Sequence, residues 1–190
     1  MIIGITGGTG CGKTPLLKEI EARGGLVLDC DAVYHELLNR DEVLLGAIEH
    51  RFPGTVVDKK LERKKLGAIV FADPQALKDL NAITHGAIKA EILRRLAEKP
   101  ALAAIDAIAL FEGGLAELAD TTVAVCAPDG DRGRRLMNRD GISEEYARNR
   151  IRAQKHESWF REMCAYTLYN NGTREEFEEQ CREFLERILK

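Results

Sequence analysis

The stretch Gly-Gly-Thr-Gly-Cys-Gly-Lys-Thr at residues 7–14 decides the fold of this 190-residue chain. It fits the pattern G-x-x-x-x-G-K-S/T, and it lies between a predicted strand, Ile2 to Thr6, and a predicted helix, Thr14 to Arg23. Glycines let such a loop curl until successive backbone N–H groups point into one concavity, where the N-terminus of the following helix adds positive potential. Residues 7–14, called the P-loop below, are therefore predicted to bind phosphate.

Two side chains of the P-loop carry chemistry of their own. The ammonium of Lys13 is expected to reach the β- and γ-phosphates of a nucleotide, and the Thr14 hydroxyl to ligate Mg²⁺. Pro15 has no N–H, so an amide that would otherwise contact the α-phosphate is missing, although proline is compatible with the first turn of a helix. The alternative is a glycine-rich turn that binds nothing. The predicted nucleotide-binding residues are Gly8, Thr9, Gly10, Cys11, Gly12, Lys13, Thr14 and Pro15.

Short apolar runs alternate with longer amphipathic ones along the chain, a pattern typical of α/β proteins. They predict a parallel sheet of about five strands flanked by helices. About 70 residues separate the second strand from the third, too many for one crossover helix. They predict a helical insert that includes a helix of roughly 20 residues beginning near Asp73 and Pro74. After Ile2 to Thr6, the predicted strands are Leu26 to Asp29, Leu102 to Asp106, Thr121 to Ala127 and Tyr166 to Tyr169.

The composition excludes several classes of function. The chain has 28 Lys plus Arg against 31 Asp plus Glu, so its formal charge of −3 gives no overall positive field for nucleic acid or an acidic membrane. The first residues lack the basic stretch and long apolar segment of a secretory signal, and the five cysteines include no C-x-x-C pair. We therefore expect a cytoplasmic protein that binds neither nucleic acid nor membrane, and no obligate protein partner is indicated.

Carboxylates follow two of the predicted strands, at the edge where open parallel sheets bind ligands. Asp31, in the segment Asp29-Cys30-Asp31 after the second strand, is the candidate general base for a substrate hydroxyl. Its alternative role is to cap the helix that begins near Ala32. Asp106, at the end of the third strand, is a candidate for the outer shell of the magnesium ion or a buried turn residue.

Seven arginines between residues 132 and 152 lie on two predicted helices that flank Gly141, with Ser143 as the cap of the second. They predict either a lid that closes over nucleotide and stabilises phosphoryl charge, or a solvated face paired with neighbouring acids. Trp159 and Phe160 are likewise open to two interpretations, a stacking surface for a base or helix packing on the core.

The motifs taken together resemble the dephospho-coenzyme A kinase family over nearly the whole chain. The guanine-nucleotide motifs N-K-x-D and D-x-x-G are absent, which disfavours a GTPase. The segments that carry the resemblance are residues 4–8 leading into the P-loop, the paired aspartates at 29–31, and residues 61–63, 69–74, 83–85, 110–112, 135–143, 150–154 and 170–172.

The resemblance implies ATP-dependent phosphorylation of the ribose 3′-hydroxyl of dephospho-coenzyme A, with Mg²⁺ as the metal. It implies a P-loop kinase fold with a nucleotide-binding core (1–30, 101–127 and 165–190), a helical acceptor-binding insert (31–100) and an arginine-rich lid (128–164). On this basis the catalytic residues are Lys13, Asp31 and Arg139, Thr14 holds the magnesium, and the acceptor-binding residues are Asp31, Arg63 and His85.

Four positions depart from the family pattern: Pro15 replaces a small hydroxyl residue, Glu62 an Asp, Gly86 a Pro and Ala165 an Asp. Only Pro15 touches the predicted chemistry. Two alternatives therefore stay open, another P-loop nucleoside or nucleotide kinase, and a nucleotide-binding module that does not catalyse.

Overall fold

The computed structural model describes all 190 residues. The elements, in chain order, are β1 (Ile2–Thr6), α1 (Thr14–Ala22), β2 (Leu26–Asp29), α2 (Cys30–Arg40), α3 (Glu42–Arg51), β3 (Val56–Val57), β4 (Lys60–Leu61), α4 (Arg63–Ala72), α5 (Pro74–Leu96), β5 (Ala103–Asp106), a 3₁₀ turn (Ala116–Leu118), β6 (Thr121–Cys126), α6 (Asp129–Asp140), α7 (Glu144–Arg152), α8 (Glu157–Met163), β7 (Tyr166–Tyr169) and α9 (Arg174–Ile188).

The predicted α/β class is confirmed by a five-stranded parallel sheet in the order β2-β5-β1-β6-β7. All five predicted strands form, and their ends differ from the predicted ones by at most one residue. In the register of the sheet, Ile5 of β1 pairs with Asp106 of β5 on one side and with Val123 of β6 on the other. Because β1 is the central strand, the P-loop that follows it begins at the middle of the carboxyl edge.

The two faces of the sheet pack against different helices because side chains alternate along a strand. On one face, Val123 and Val125 join a core with Leu16 and Ile20 of α1 and the buried stripe of α9, which is Phe177, Cys181, Phe184 and Leu185. On the other face, Ala124 and Cys126 contact Phe160 of α8. Trp159 lies edge-on to Phe111, with ring centroids 5.7 Å apart, so helix packing is the role of this aromatic pair.

The chain folds into two compact units, one formed by residues 1–28 and 99–190 and the other by residues 29–98. The second unit holds α2 to α5, and α5 is the predicted long helix: it begins at Pro74 and has 23 residues. Asp73 is its N-cap and accepts a hydrogen bond from the Gln75 N–H.

A short hairpin in the second unit was not predicted. Val56 and Val57 of β3 pair antiparallel with Leu61 and Lys60 of β4. The turn between these strands has positive φ at both Asp58 (50°) and Lys59 (61°), a conformation that usually selects Asn or Asp followed by Gly. Two-residue strands show no alternation, and this turn carries no glycine, so the sequence holds no hairpin signal.

None of the helices is both long and apolar enough to span a bilayer.

Candidate active site

The glycines of the P-loop are required by backbone conformation and by close packing. Gly7, Gly10 and Gly12 have φ values of +140°, +77° and +86°, which residues with a Cβ rarely adopt. A Cβ at Gly7 would also lie 2.2 Å from the carbonyl oxygen of Val125, and one at Gly12 would lie 2.3 Å from Nδ2 of Asn170. The loop therefore curls tightly between the end of β1 and the start of α1.

The carbonyl groups of the P-loop are bound by side chains from α6 and from the residue after β7. Nε of Arg132 donates to the Thr9 carbonyl oxygen at 3.0 Å. Nη1 of Arg135 donates to the carbonyl oxygens of Gly10 (3.3 Å) and Cys11 (3.1 Å), and Nδ2 of Asn170 also donates to that of Cys11, at 2.9 Å. Because a peptide unit is planar and trans, binding a carbonyl on this side turns the next N–H the opposite way.

The amide groups of the loop fall into two sets. The N–H groups of Thr9 and Cys11 are engaged, donating to Oε1 of Gln154 (2.7 Å) and to the Gly8 carbonyl oxygen (3.1 Å). Those of Gly10, Gly12 and Thr14 have no acceptor within the protein. Since unpaired N–H groups at a helix N-terminus suit an anion, the loop has the donor set of a phosphate site.

Lys13 and Asp106 meet at the edge of the sheet. Nζ of Lys13 lies 3.5 Å from Oδ1 of Asp106 and donates to the Gly7 carbonyl oxygen at 3.4 Å. Both side chains are only 14% exposed. Asp106 lies beside the P-loop because it ends β5, the neighbour of β1, so a charged pair lies at the base of the phosphate site. Thr14, the candidate magnesium ligand, is exposed as the first residue of α1.

The Cys11 side chain points away from this site. It is buried in the core with Ile3, Ile5 and Val125. Burial raises the pKa of the Cys11 thiol, the charge of Asp106 raises it further, and the nearby cations, Lys13 above all, lower it in part. Cys11 therefore contributes its backbone to the loop and its sulfur to the hydrophobic core.

Pro15 fits the first turn of α1, as expected.

The two aspartates after β2 have different roles. Oδ1 of Asp29 accepts hydrogen bonds from the N–H groups of Asp31 (2.9 Å) and Ala32 (3.2 Å), so Asp29 is the N-cap of α2. The capping role considered for Asp31 is therefore wrong. The carboxylate of Asp31 is exposed in the first turn of α2.

Two candidate acceptor-binding residues lie in the second unit. Arg63, the first residue of α4, has Nη2 3.1 Å from Nδ1 of His35, and its charge also acts on Tyr34, whose pKa is raised by burial and lowered in part by that charge. Neither His35 nor Tyr34 is among the site residues that the sequence predicts. His85 is half-buried on α5 and takes no part in the contact between Arg63 and His35.

The arginines of α6 and α7 include some that pair with neighbouring acids and others that face the P-loop. Arg134 pairs with Asp131 at 3.1 Å, and Arg139 binds Asp140 through two contacts of 2.6 and 3.0 Å. Arg150 also binds Asp140. The hydrogen bonds from Arg139, and after it from Arg150, lower the pKa of that carboxyl to about 2. These pairs match the solvated-face interpretation, whereas Arg132 and Arg135 face the P-loop. The Ser143 cap of α7 is confirmed by its bond from the Tyr146 N–H.

The fold and this loop define the class. A parallel sheet whose central strand leads into a phosphate-binding loop, with Lys13 and Asp106 at its edge, is the architecture of a P-loop kinase. Comparison with known proteins gives the family: the sequence profile of the family described as dephospho-CoA kinase matches residues 1–176. The chain belongs to the dephospho-CoA kinase family and is a phosphotransferase that acts on an alcohol group.

Individual relatives agree along almost the entire length. A dephospho-CoA kinase from Corynebacterium diphtheriae is 34% identical over 193 residues, which cover 98% of this chain and 96% of that protein. A crystal structure from Thermus thermophilus is 34% identical with a TM-score of 0.82, covering 98% of this chain and 97% of that one. A dephospho-CoA kinase from Campylobacter jejuni is 25% identical with a TM-score of 0.69, covering 98% and 96%.

Proposed function

We propose that this protein transfers the γ-phosphoryl group of ATP to the ribose 3′-hydroxyl of dephospho-CoA, giving CoA and ADP. The observation that carries the proposal is the P-loop, in which the N–H groups of Gly10, Gly12 and Thr14 lack acceptors beside Lys13, in a chain that belongs to the dephospho-CoA kinase family. In the reaction, the 3′-oxygen bonds to the γ-phosphorus while the bond from that phosphorus to the β,γ-bridging oxygen breaks. The hydroxyl proton goes to a base, and ADP leaves.

Asp31 is the proposed base. As an exposed carboxylate with no capping role, it is available to accept the proton or to orient the hydroxyl. Lys13 neutralises charge on the β- and γ-phosphates. Arg139, which pairs with Asp140 in this structure, is the proposed lid arginine that would exchange this partner for the transferring phosphoryl group. Arg63 and His85 are proposed to bind the acceptor. The proposed regions are the core (1–30, 101–127 and 165–190), the acceptor-binding insert (31–100) and the lid (128–164).

Mg²⁺ is the proposed metal. The Thr14 hydroxyl would hold it, and the donor chemistry fits because Mg²⁺ prefers oxygen ligands and a second hard oxygen donor, the carboxylate of Asp106, lies beside the P-loop lysine. When bound, the ion neutralises charge on the phosphate oxygens.

The direct test is ADP release by the purified protein with ATP, Mg²⁺ and dephospho-CoA, together with mass determination of the product. Reactions with adenosine, with AMP and without acceptor serve as controls. We expect turnover with dephospho-CoA alone and a product heavier by one phosphoryl group. Turnover on adenosine or AMP instead would assign another nucleoside or nucleotide kinase, and ATP binding without any turnover would indicate a non-catalytic module.

A further inference from the structure

Arg132 and Gln154 enclose one residue of the P-loop. Nε of Arg132 donates to the Thr9 carbonyl oxygen (3.0 Å), and the Thr9 N–H donates to Oε1 of Gln154 (2.7 Å). Nη2 of Arg132 donates to the same Oε1 at 3.1 Å, which closes a ring of three hydrogen bonds. Thr9 thus has both its N–H and its carbonyl bound by side chains that lie more than 120 residues further along the chain. We call the two side chains the Thr9 clamp.

The clamp fills the space around the loop. Arg132 is only 5% exposed, and its remaining nitrogen, Nη1, donates to Oδ1 of Asp129 at 2.9 Å. A Cβ at Gly8 would lie 2.3 Å from Nη2 of Arg132, and one at Gly10 would lie 2.7 Å from the carbonyl oxygen of Arg132. Glycine at both positions makes room for Arg132, but it also leaves the peptides on either side of Thr9 free to rotate.

This freedom matters because the Thr9–Gly10 peptide carries one of the unpaired N–H groups. Arg132 holds the Thr9 carbonyl oxygen on the α6 side of the loop. The Gly10 N–H belongs to the same planar trans peptide and therefore points away from α6. A buried carbonyl without its donor would turn to find another partner, and the Gly10 N–H would turn with it.

We propose that Arg132 and Gln154 are positioning residues for nucleotide binding: they hold the Thr9–Gly10 peptide in the orientation in which the Gly10 N–H faces the phosphate. The charge of Arg132 is therefore used on the P-loop backbone, whereas the lid interpretation assigned such charges to the transferring phosphoryl group. The inference rests on the proposed function only in taking a nucleoside triphosphate as the ligand. Because Gln154 follows α7 by two residues, the clamp also ties the end of that helix to the P-loop.

Three single variants test the clamp. Gln154→Leu removes the acceptor with little change of size and no change of charge, and Arg132→Met removes the guanidinium. Arg134→Met is the control, because it removes the same charge from the same helix at a side chain that is 70% exposed and paired with Asp131. For each protein we would measure the ATP Kd by calorimetry without acceptor, hydrogen exchange of residues 7–14 without nucleotide, and Tm.

We expect Gln154→Leu and Arg132→Met each to raise the ATP Kd about tenfold and to speed amide exchange in the P-loop, since each removes hydrogen bonds of Thr9. The Kd of Arg134→Met should stay within about twofold, the range expected of an exposed charge. The double variant, which carries both substitutions, should bind ATP only slightly more weakly than the weaker-binding single variant, because both side chains act on one peptide.

An ATP Kd and exchange pattern of Gln154→Leu equal to those of the wild type would overturn the proposal. So would an Arg134→Met variant that binds ATP as weakly as Arg132→Met, because net charge would then be the cause. A purely structural role would lower Tm and leave the Kd unchanged. If Arg132→Met does not fold, Gln154→Leu still decides, since Gln154 is only partly buried. Neither binding nor exchange involves the acceptor, so a wild type that fails to phosphorylate dephospho-CoA would contradict the proposed function alone.

Discussion

At the residue scale, two aspartates separated by one position have separate tasks. The carboxylate of Asp29 accepts hydrogen bonds from the N–H groups of Asp31 and Ala32, as an N-cap does. Asp31 lies two residues later, in the first turn of α2, where its side chain is exposed to solvent. A carboxylate that serves as a base needs this accessibility, because it must reach a substrate hydroxyl.

We expect Asp31→Asn to lower kcat by ~10²–10⁴-fold with little change in the ATP Kd, because the amide cannot accept the hydroxyl proton. The control is Asp29→Asn, which keeps the capping oxygen and should keep both Tm and turnover, since Asn caps a helix about as well as Asp. Steady-state kinetics with calorimetric ATP binding makes the comparison. A fully active Asp31→Asn would refute the base assignment.

Pro15 is the other residue with a specific expectation. It is accommodated in the first turn of α1, but it supplies no N–H next to the unpaired amide of Thr14. We expect Pro15→Thr to tighten ATP binding by about three- to tenfold, because the restored amide adds one hydrogen bond to a charged phosphate. ATP titration of the two proteins measures this, and equal Kd values would show that the missing amide has no effect.

At the element scale, one buried carboxylate joins α2 and α5. Glu91 of α5 is 8% exposed and binds Arg94 and Arg95 of its own helix and Arg40 of α2, at distances of 2.7 to 2.8 Å. Hydrogen bonds from Arg94 and then Arg95 lower the pKa of Glu91 from 4.5 to about 2, against the opposing effect of burial. Folding therefore stabilises the ionised form.

The sign of the pH dependence follows from that lowered pKa. Glu91 contributes its stabilisation above the unfolded pKa of about 4.5, and the contribution is lost as the pH falls toward the folded pKa of about 2. We expect Glu91→Gln to cost roughly 1–3 kcal/mol of unfolding free energy at pH 7, and much less near pH 2.

Urea denaturation at both pH values measures the Glu91 effect. Glu98→Gln, at an exposed glutamate just beyond α5, should change the unfolding free energy little at either pH. An effect of Glu91→Gln that is the same at pH 2 and pH 7 would contradict a contribution from the ionised carboxylate.

At the scale of the whole molecule, the face of the sheet that carries α1 and α9 supplies the main core. Leu185 of α9 is fully buried there, whereas Leu189, one turn later, is 39% exposed. Leu185→Ala should lower the unfolding free energy by about 2–5 kcal/mol through lost burial and a cavity, and Leu189→Ala by less than about 1 kcal/mol. Chemical denaturation followed by circular dichroism compares them, and equal losses would contradict this description of the core.

The strands and the P-loop were predictable because their signals are local. Each of the five sheet strands is a short, mostly apolar run of strand length, and the P-loop pattern specifies its own strand and helix on either side. Pro74 and Ser143 similarly mark the starts of α5 and α7. The β3–β4 hairpin escaped prediction because Lys59 lies at the position where such a turn usually has glycine.

By itself, the sequence determined the fold class, the phosphate-binding loop and the candidate base, since periodicity, glycine spacing and a lysine next to a helix start act over a few residues. Tertiary packing selects the partner of each charged side chain in the site. Lys13 meets Asp106 of β5, and Arg132 binds Thr9 across 123 positions, whereas Arg134 pairs with Asp131 of its own helix. The physical reason is that a hydrogen bond depends on proximity in space, and residues far apart in the chain become neighbours only when the elements pack.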